Sequence, residues 1–309
     1  MKTAHRPRPL PMKNGIRPSY LVLPHDAAFS GKTLLAYLCA RYPFLDENAW
    51  AARLDSGFVT DSDGLPLSSR APFQGGAVIY YYRETSHSHE PEIPFAERII
   101  HVDGHLIAVD KPHFLPVIPS GRFLHETLLT RLRQHPELQH LDTAAITPVH
   151  RLDKDTAGIM LFSHCIGSRA AYQNLFQNRQ VRKTYEALAP FRRDLHFPVT
   201  VESRIEAGEP FYLSRETDGQ ANARTVVELI EKRSGHALYR LHPETGKKHQ
   251  LRLHMMRLGI PILNDMLYPE VIPLSQENYG KPLKLLARRL EFTDPFSGEA
   301  RIFESALTL

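Results

Sequence analysis

Within six residues, His150-Arg151-Leu152-Asp153-Lys154-Asp155 brings together an imidazole, a guanidinium and two carboxylates, and the chain then passes through Thr156-Ala157-Gly158 into the apolar run Ile159-Met160-Leu161-Phe162. A charged loop anchored to a core by a buried strand is how a site is built. Two other readings compete with it. Asp153 and Asp155 are ordinary turn carboxylates if they bond their own backbone, with Arg151 and Lys154 as solvated partners. Alternatively, the same pair with nearby histidines could form a metal-dependent hydrolase site, which sensitivity to a chelator would mark.

Other reactive-looking residues carry less. Gly31-Lys32-Thr33 echoes the end of a phosphate-binding loop, but position 26 is Asp26 where that pattern needs glycine. His87 and His89 stand on a loop without further placed ligands, which is polar filler rather than a metal centre. Cys39 and Cys165 are too few and too far apart for a disulfide framework or a zinc knuckle, and a cytoplasmic, reducing home fits best.

The loop needs elements to hold it, and 309 residues leave room for one large domain and a small one. Five of the 38 basic residues fall in residues 1–25 without a single acid, leaving 33 basic against 34 acidic residues in the rest. Broken by Pro7, Pro9, Pro11 and Pro18, the stretch 1–18 reads as a basic flexible tail, either solvated or brushing phosphates. No apolar h-region follows it, and no run approaches the roughly 18 apolar residues of a membrane span.

Residues 19–84 read as a small domain. Leu34, Leu35, Tyr37, Leu38 and Tyr42 space out as one amphipathic helix, and Ala49, Trp50, Arg53 and Leu54 as a second that stops at Gly57. Phe58-Val59-Thr60 and the run from Ala77 to Tyr82 predict strands. Residues 85–97 read as a linker. From 98 to 309 the pattern predicts strands at 106–110, 158–163, 183–189, 225–231, 236–242 and 288–293, with helices at 124–134, 166–178 and 249–258. The mixture has no regular βαβ beat, so the class is α+β.

The stretch from His150 to Gly158 closely resembles the signature His-Arg-Leu-Asp-x-x-Thr-Ser-Gly of the RluA family of pseudouridine synthases, with small Ala157 where serine is usual. Three further blocks resemble the same family. Leu106 to Pro112 looks like its opening strand and Lys-Pro turn, and Arg182-Lys183-Thr184-Tyr185-Glu186-Ala187 looks like its tyrosine segment. Thr245-Gly246-Lys247-Lys248-His249-Gln250-Leu251-Arg252-Leu253-His254, followed by Gly259 to Tyr268, resembles the last block, usually Gly-Arg-Thr-His-Gln-Ile/Leu-Arg-x-His and then Gly-x-Pro-Ile-x-Gly-Asp-x-x-Tyr. Lys247 and Lys248 replace the usual Arg-Thr, and Asn264 replaces a glycine, asparagine being the non-glycine best suited to a positive φ. More weakly, residues 30–84 resemble the small alpha-L RNA-binding domain found in front of many such synthases; the alternative is a structural cap.

The resemblance implies a mixed central sheet with a cleft along it, and a catalytic domain over 98–309. It implies isomerisation of uridine to pseudouridine in structured RNA, ribosomal before transfer RNA, by a monomer that needs no metal or redox cofactor. Asp153 is then the nucleophile, attacking either carbon 6 of the base or the anomeric carbon of ribose. It must be ionised, and since burial disfavours charge a cation must stand near; Arg252 fits, able to grip a carboxylate with two bonds. Tyr185 lies against the uracil, and Arg151 fills the gap left when the target flips out. Lys183, Lys247, Lys248 and Arg257 are candidates for phosphate contacts. His150 shapes the loop rather than reacting. A protein that kept the fold and the RNA but lost turnover is the alternative.

Overall fold

The computed structural model describes residues 10–11, 18–42, 45–82, 90–210 and 212–309. Apart from residues 10, 11 and 18, the expected tail falls outside that range, as do His87 and His89. The chain divides into two compact units, Met1–Glu90 and Pro91–Leu309.

The first unit runs through β1 (Ser19–Val22), α1 (Leu34–Arg41), α2 (Glu47–Asp55), β2 (Val59–Thr60) and β3 (Val78–Tyr81), its strands forming an antiparallel sheet in the order β1-β3-β2. Both helices start where a side-chain oxygen takes up an orphan amide: Thr33 accepts from Ala36 N and Asp46 from Ala49 N. Leu34, Leu38, Trp50 and Leu54 turn inward against Val59 and Ile79.

The second unit carries one large mixed sheet. Its elements are β4 (Arg98–Val102), β5 (Leu106–Lys111), α3 (Leu128–Gln134), β6 (Thr147–Pro148), β7 (Ala157–Ser163), α4 (Ile166–Gln177), β8 (Arg182–Pro190), β9 (Val199–Ala207), β10 (Ser214–Thr217), β11 (Ala223–Lys232), β12 (His236–Pro243), α5 (Gln250–Arg257), β13 (Leu285–Thr293) and β14 (Ala300–Glu304). The strand order is β10-β9-β11-β12-β8-β13-β7-β5-β4, with β14 on β13 and β6 on β7. All these pairings are antiparallel except β13 with β7, where Leu286 stands beside Ala157 and Ala287 beside Gly158.

Strands β5 and β7 are apolar without alternation because both faces are covered. Ile107, Val109, Met160 and Phe162 pack toward Leu128 and Leu132 of α3, while Leu106, Ala108, Ile159 and Leu161 pack with Tyr172 of α4. A third cluster seats Leu251 and Met255 of α5 against Ala187, Val227, Tyr239 and Leu241. Gly158 has φ 112°, and a Cβ there would lie 2.2 Å from the Ala287 carbonyl oxygen. Only glycine lets β13 come alongside at the point where the charged loop enters β7.

Candidate active site

The loop between β6 and β7 is pinned from beneath. Buried Lys111 donates from Nζ to the carbonyls of Pro112 and Leu115 at 2.8 Å and of Lys154 at 2.9 Å, and His113 Nδ1 donates to the Asp155 carbonyl at 2.7 Å. Burial pushes the Lys111 ammonium down to about 7, opposed by the charges of Asp155 and Asp153. Three acceptors match the three N–H bonds of the charged form. Replacing Lys111 with Met strands those carbonyls, so an unfolding free energy lower by about 3 kcal/mol is expected in urea titration. A loss under about 0.5 kcal/mol would show that the loop holds itself.

His150 also supports the loop. Its Nε2 accepts from Leu161 N at 3.0 Å, and its ring stacks on Phe176 with centroids 4.3 Å apart. Burial pushes this imidazole down to about 4. His249 and His254 are likewise pushed to about 4, first by burial. Their folded values lie below the ordinary imidazole value of about 6.5, so between about 6.5 and 4 the unfolded chain binds protons that the folded chain refuses. Stability therefore falls as pH drops through that window. Melting temperature should decline steadily from pH 6.5 to 4, and His150→Gln, which keeps an acceptor for Leu161 N, should flatten part of the decline; an unchanged slope would remove His150 from this account.

Asp153 sits half-buried on the pinned loop. Its Oδ2 lies 3.8 Å from Nη1 of Arg252 and 4.0 Å from Nε2 of His249, beyond hydrogen-bond reach of either. Arg252 is 1% exposed. Its two-bond grip is on Asp265 rather than Asp153: Nε donates to Oδ2 at 2.8 Å and Nη2 to Oδ1 at 2.5 Å. This corrects the expected bidentate Arg252–Asp153 pair. Asp265 also accepts from the backbone amides of Leu267 and Tyr268, so it is locked before it holds the arginine. Burial opposes the Arg252 charge, but the Asp265 hydrogen bonds and the Asp265 and Asp153 charges outweigh it and keep the guanidinium protonated.

Tyr185 on β8 lines a cavity of about 330 Å³ together with Asp153, Arg252, Arg151 and Lys183. Burial, then the Asp153 charge, raises the Tyr185 hydroxyl well above its ordinary value, so it stays protonated at neutral pH. Lys183, two residues earlier on the same face of β8, donates to the Thr245 carbonyl at 2.8 Å, and burial pushes it down to about 8. Its ammonium is engaged inside the cavity, not presented on an open surface as a phosphate contact would be. Arg151 and Lys247 are exposed at the rim, and Lys248 lines an adjoining cavity.

Arg257 is not brought to the site. Five residues past Arg252 on α5, about 140° round the helix, its Nη1 pairs with Glu216 Oε2 at 3.0 Å, and it lines neither cavity. Asn264 takes φ 60°, and His249, where the chain enters α5, takes φ 57°. Its Nδ1 meets the Tyr268 hydroxyl at 2.8 Å. The sequence reading gave no role to Asp265, Tyr268 or the Lys111 side chain, although all three lie in the blocks it singled out. Their signal was physical: a buried guanidinium needs a carboxylate of its own.

Among the described residues no three His, Cys, Asp or Glu side chains converge as a metal-holding group, and Asp155 Oδ1 pairs with Lys154 Nζ at 2.9 Å. No helix among them is long and apolar enough to cross a membrane.

Comparison with known proteins points to one family. The model of the RNA pseudouridylate synthase family matches residues 105–257, the stretch that holds Lys111, Asp153, Tyr185 and Arg252. A ribosomal large subunit pseudouridine synthase D of Nitrosomonas europaea is 34% identical over 238 residues, covering 74% of this chain and 67% of that protein. An uncharacterised RNA pseudouridine synthase of Synechocystis is 28% identical over 249 residues, 78% of this chain and 81% of that one. Among solved structures, human RNA pseudouridylate synthase domain containing 4 aligns with a TM-score of 0.52 at 26% identity, covering 68% of this chain and 88% of that one. The chain belongs to the RluA family of RNA pseudouridylate synthases.

Proposed function

We propose that this chain isomerises uridine to pseudouridine in structured RNA with Asp153 as the nucleophile. One observation carries the assignment: a carboxylate held 3.8 Å from a buried cation whose Nε and Nη2 are bonded to another acid, Asp265. The guanidinium faces the carboxylate without occupying its lone pairs, which stay free to attack. Attack on carbon 6 of the uracil and attack on the anomeric carbon both need that arrangement. The bond from the anomeric carbon to nitrogen 1 then breaks, a bond from the anomeric carbon to carbon 5 forms, the bond to Asp153 breaks again and restores the carboxylate, the proton on carbon 5 leaves and nitrogen 1 takes one up. Atoms and charge balance without an added redox partner.

Tyr185 stacks on the base and holds it once the glycosidic bond is broken, a contact worth roughly 1–3 kcal/mol. Arg151 at the rim enters the space left by the flipped nucleotide, while Lys247 and Lys248 take phosphates. Arg257 belongs to the outer surface and is left out of the site. Relatives named for the ribosomal large subunit favour ribosomal RNA as substrate, with transfer RNA next. We read the unit Met1–Glu90 as an RNA-binding accessory to a monomeric, cytoplasmic enzyme.

Uridine-5-tritiated ribosomal and transfer RNA transcripts test the reading, because losing the carbon 5 proton sends tritium into water. Release from ribosomal transcripts is the expected result. Binding without release from either RNA would favour a protein that kept the fold and lost turnover.

A further inference from the structure

Two cavities open on Asp153, and the chemistry proposed above uses one. Arg151, Asp153, His249 and Arg252 form a wall common to both. The second cavity is larger, about 900 Å³ against about 330 Å³. Of twelve large apolar side chains exposed among the described residues, five line it: Ile118, Tyr212, Val271, Ile272 and Leu274. Exposed apolar residues scattered singly need no explanation, but this clustering in one concave surface marks a binding site. We infer, resting on the reading that the chain modifies RNA, that this second cavity receives the unpaired base of a nucleotide adjoining the target uridine, laid against Tyr212 and the ridge Val271 to Leu274.

Continuity and charge commit the surface to RNA. The target nucleotide is tied to its neighbours by phosphodiesters, so once it sits at Asp153 the next base lies beside the shared wall. Arg151 lines both cavities and Lys248 the second. The two cations are close enough that the Arg151 charge adds to burial in pushing the Lys248 ammonium down. Positive charge at the junction of the two cavities, with Lys248 placed to take a phosphate, matches the linkage between two bases. Apolar walls recognise the face of a base rather than its edge, so presence of the neighbour should matter more than its identity.

The test measures tritium release from a stem-loop RNA whose uridine the wild type modifies, and from the same RNA made abasic on one side or the other of that uridine. Tyr212→Ala and Leu274→Ser should each raise KM about tenfold with kcat changed less than about twofold, and Tyr212→Phe should keep wild-type KM. One of the two abasic RNAs should raise the wild-type KM equally and add nothing further to Tyr212→Ala. Additive effects, or variants that match the wild type on RNA it modifies, would overturn the inference and leave the Asp153 chemistry standing. Dimerisation of the wild type that Leu274→Ser abolishes at unchanged KM would overturn it too, assigning the surface to a second copy. No release by the wild type from any RNA overturns the functional reading, and this inference with it.

Discussion

Asp153→Asn should stop tritium release from uridine-5-labelled RNA, lowering kcat by about four orders of magnitude or more, the scale seen when a nucleophile is removed from an enzyme. The substitution changes little else. Asparagine is nearly isosteric, and the carboxylate it replaces stands 3.8 Å from Arg252 and 4.0 Å from His249, beyond hydrogen-bond reach of either. The loop backbone stays tethered through the Lys154 and Asp155 carbonyls, which Lys111 and His113 hold. RNA affinity should therefore remain within about threefold, and removing a negative charge among phosphates should strengthen it if anything. Filter binding and tritium release on the same preparation separate the outcomes. Release near the wild-type rate would take the nucleophile away from Asp153, and joint loss of binding and melting temperature would make it a structural residue.

How much of this was legible before the structure differs by element. Strands β5 and β7 declared themselves because burial on both faces leaves an unbroken apolar run, and α5 because Leu251 and Met255 repeat at helical spacing. Strands β9 and β10 did not. Glu202, Arg204, Glu206 and Arg215 face solvent there, and the alternating pattern is short and charged enough to pass for loop. The predicted helix at 124–134 begins only at Leu128, since Thr127 accepts from Thr130 N and caps it there. In the site, Asp153, Tyr185 and Arg252 could be picked out because each stands in a dense motif. What spacing does not encode is which acid a buried arginine grips. Asp265 is thirteen residues from Arg252 and Asp153 about a hundred, yet only the tertiary arrangement decides that the near one takes the hydrogen bonds and the far one stays open. Arg257 shows the reverse: sequence places it on the same helix as Arg252, and the helical turn sends it to Glu216.

That division of labour makes Arg252 the second residue whose replacement should act strongly, and a paired variant separates its two roles. Arg252→Met leaves Asp265, 7% exposed overall, as a buried carboxylate that among the described residues keeps two backbone amides. Breaking a buried pair from one side costs about 3–5 kcal/mol, which for a unit of this size corresponds to a melting temperature lower by roughly 10 °C. Asp153 loses the cation that stands beside it in the same step, so activity should fall at least about a hundredfold. Stability loss alone would explain such a fall, and the double variant Arg252→Met/Asp265→Leu removes that ambiguity. With both charges gone the interior is apolar, and replacing a whole buried ion pair by packed hydrophobic groups is often neutral or stabilising. The double variant should therefore melt near the wild-type temperature and remain inactive. Arg252→Lys belongs in the same series: a point charge cannot donate two parallel bonds to Asp265 and still face Asp153, so it should recover part of the stability and little of the turnover. Recovery of activity together with stability in the double variant would show that Arg252 is a strut for Asp265 and that the cation beside Asp153 has no part in the chemistry.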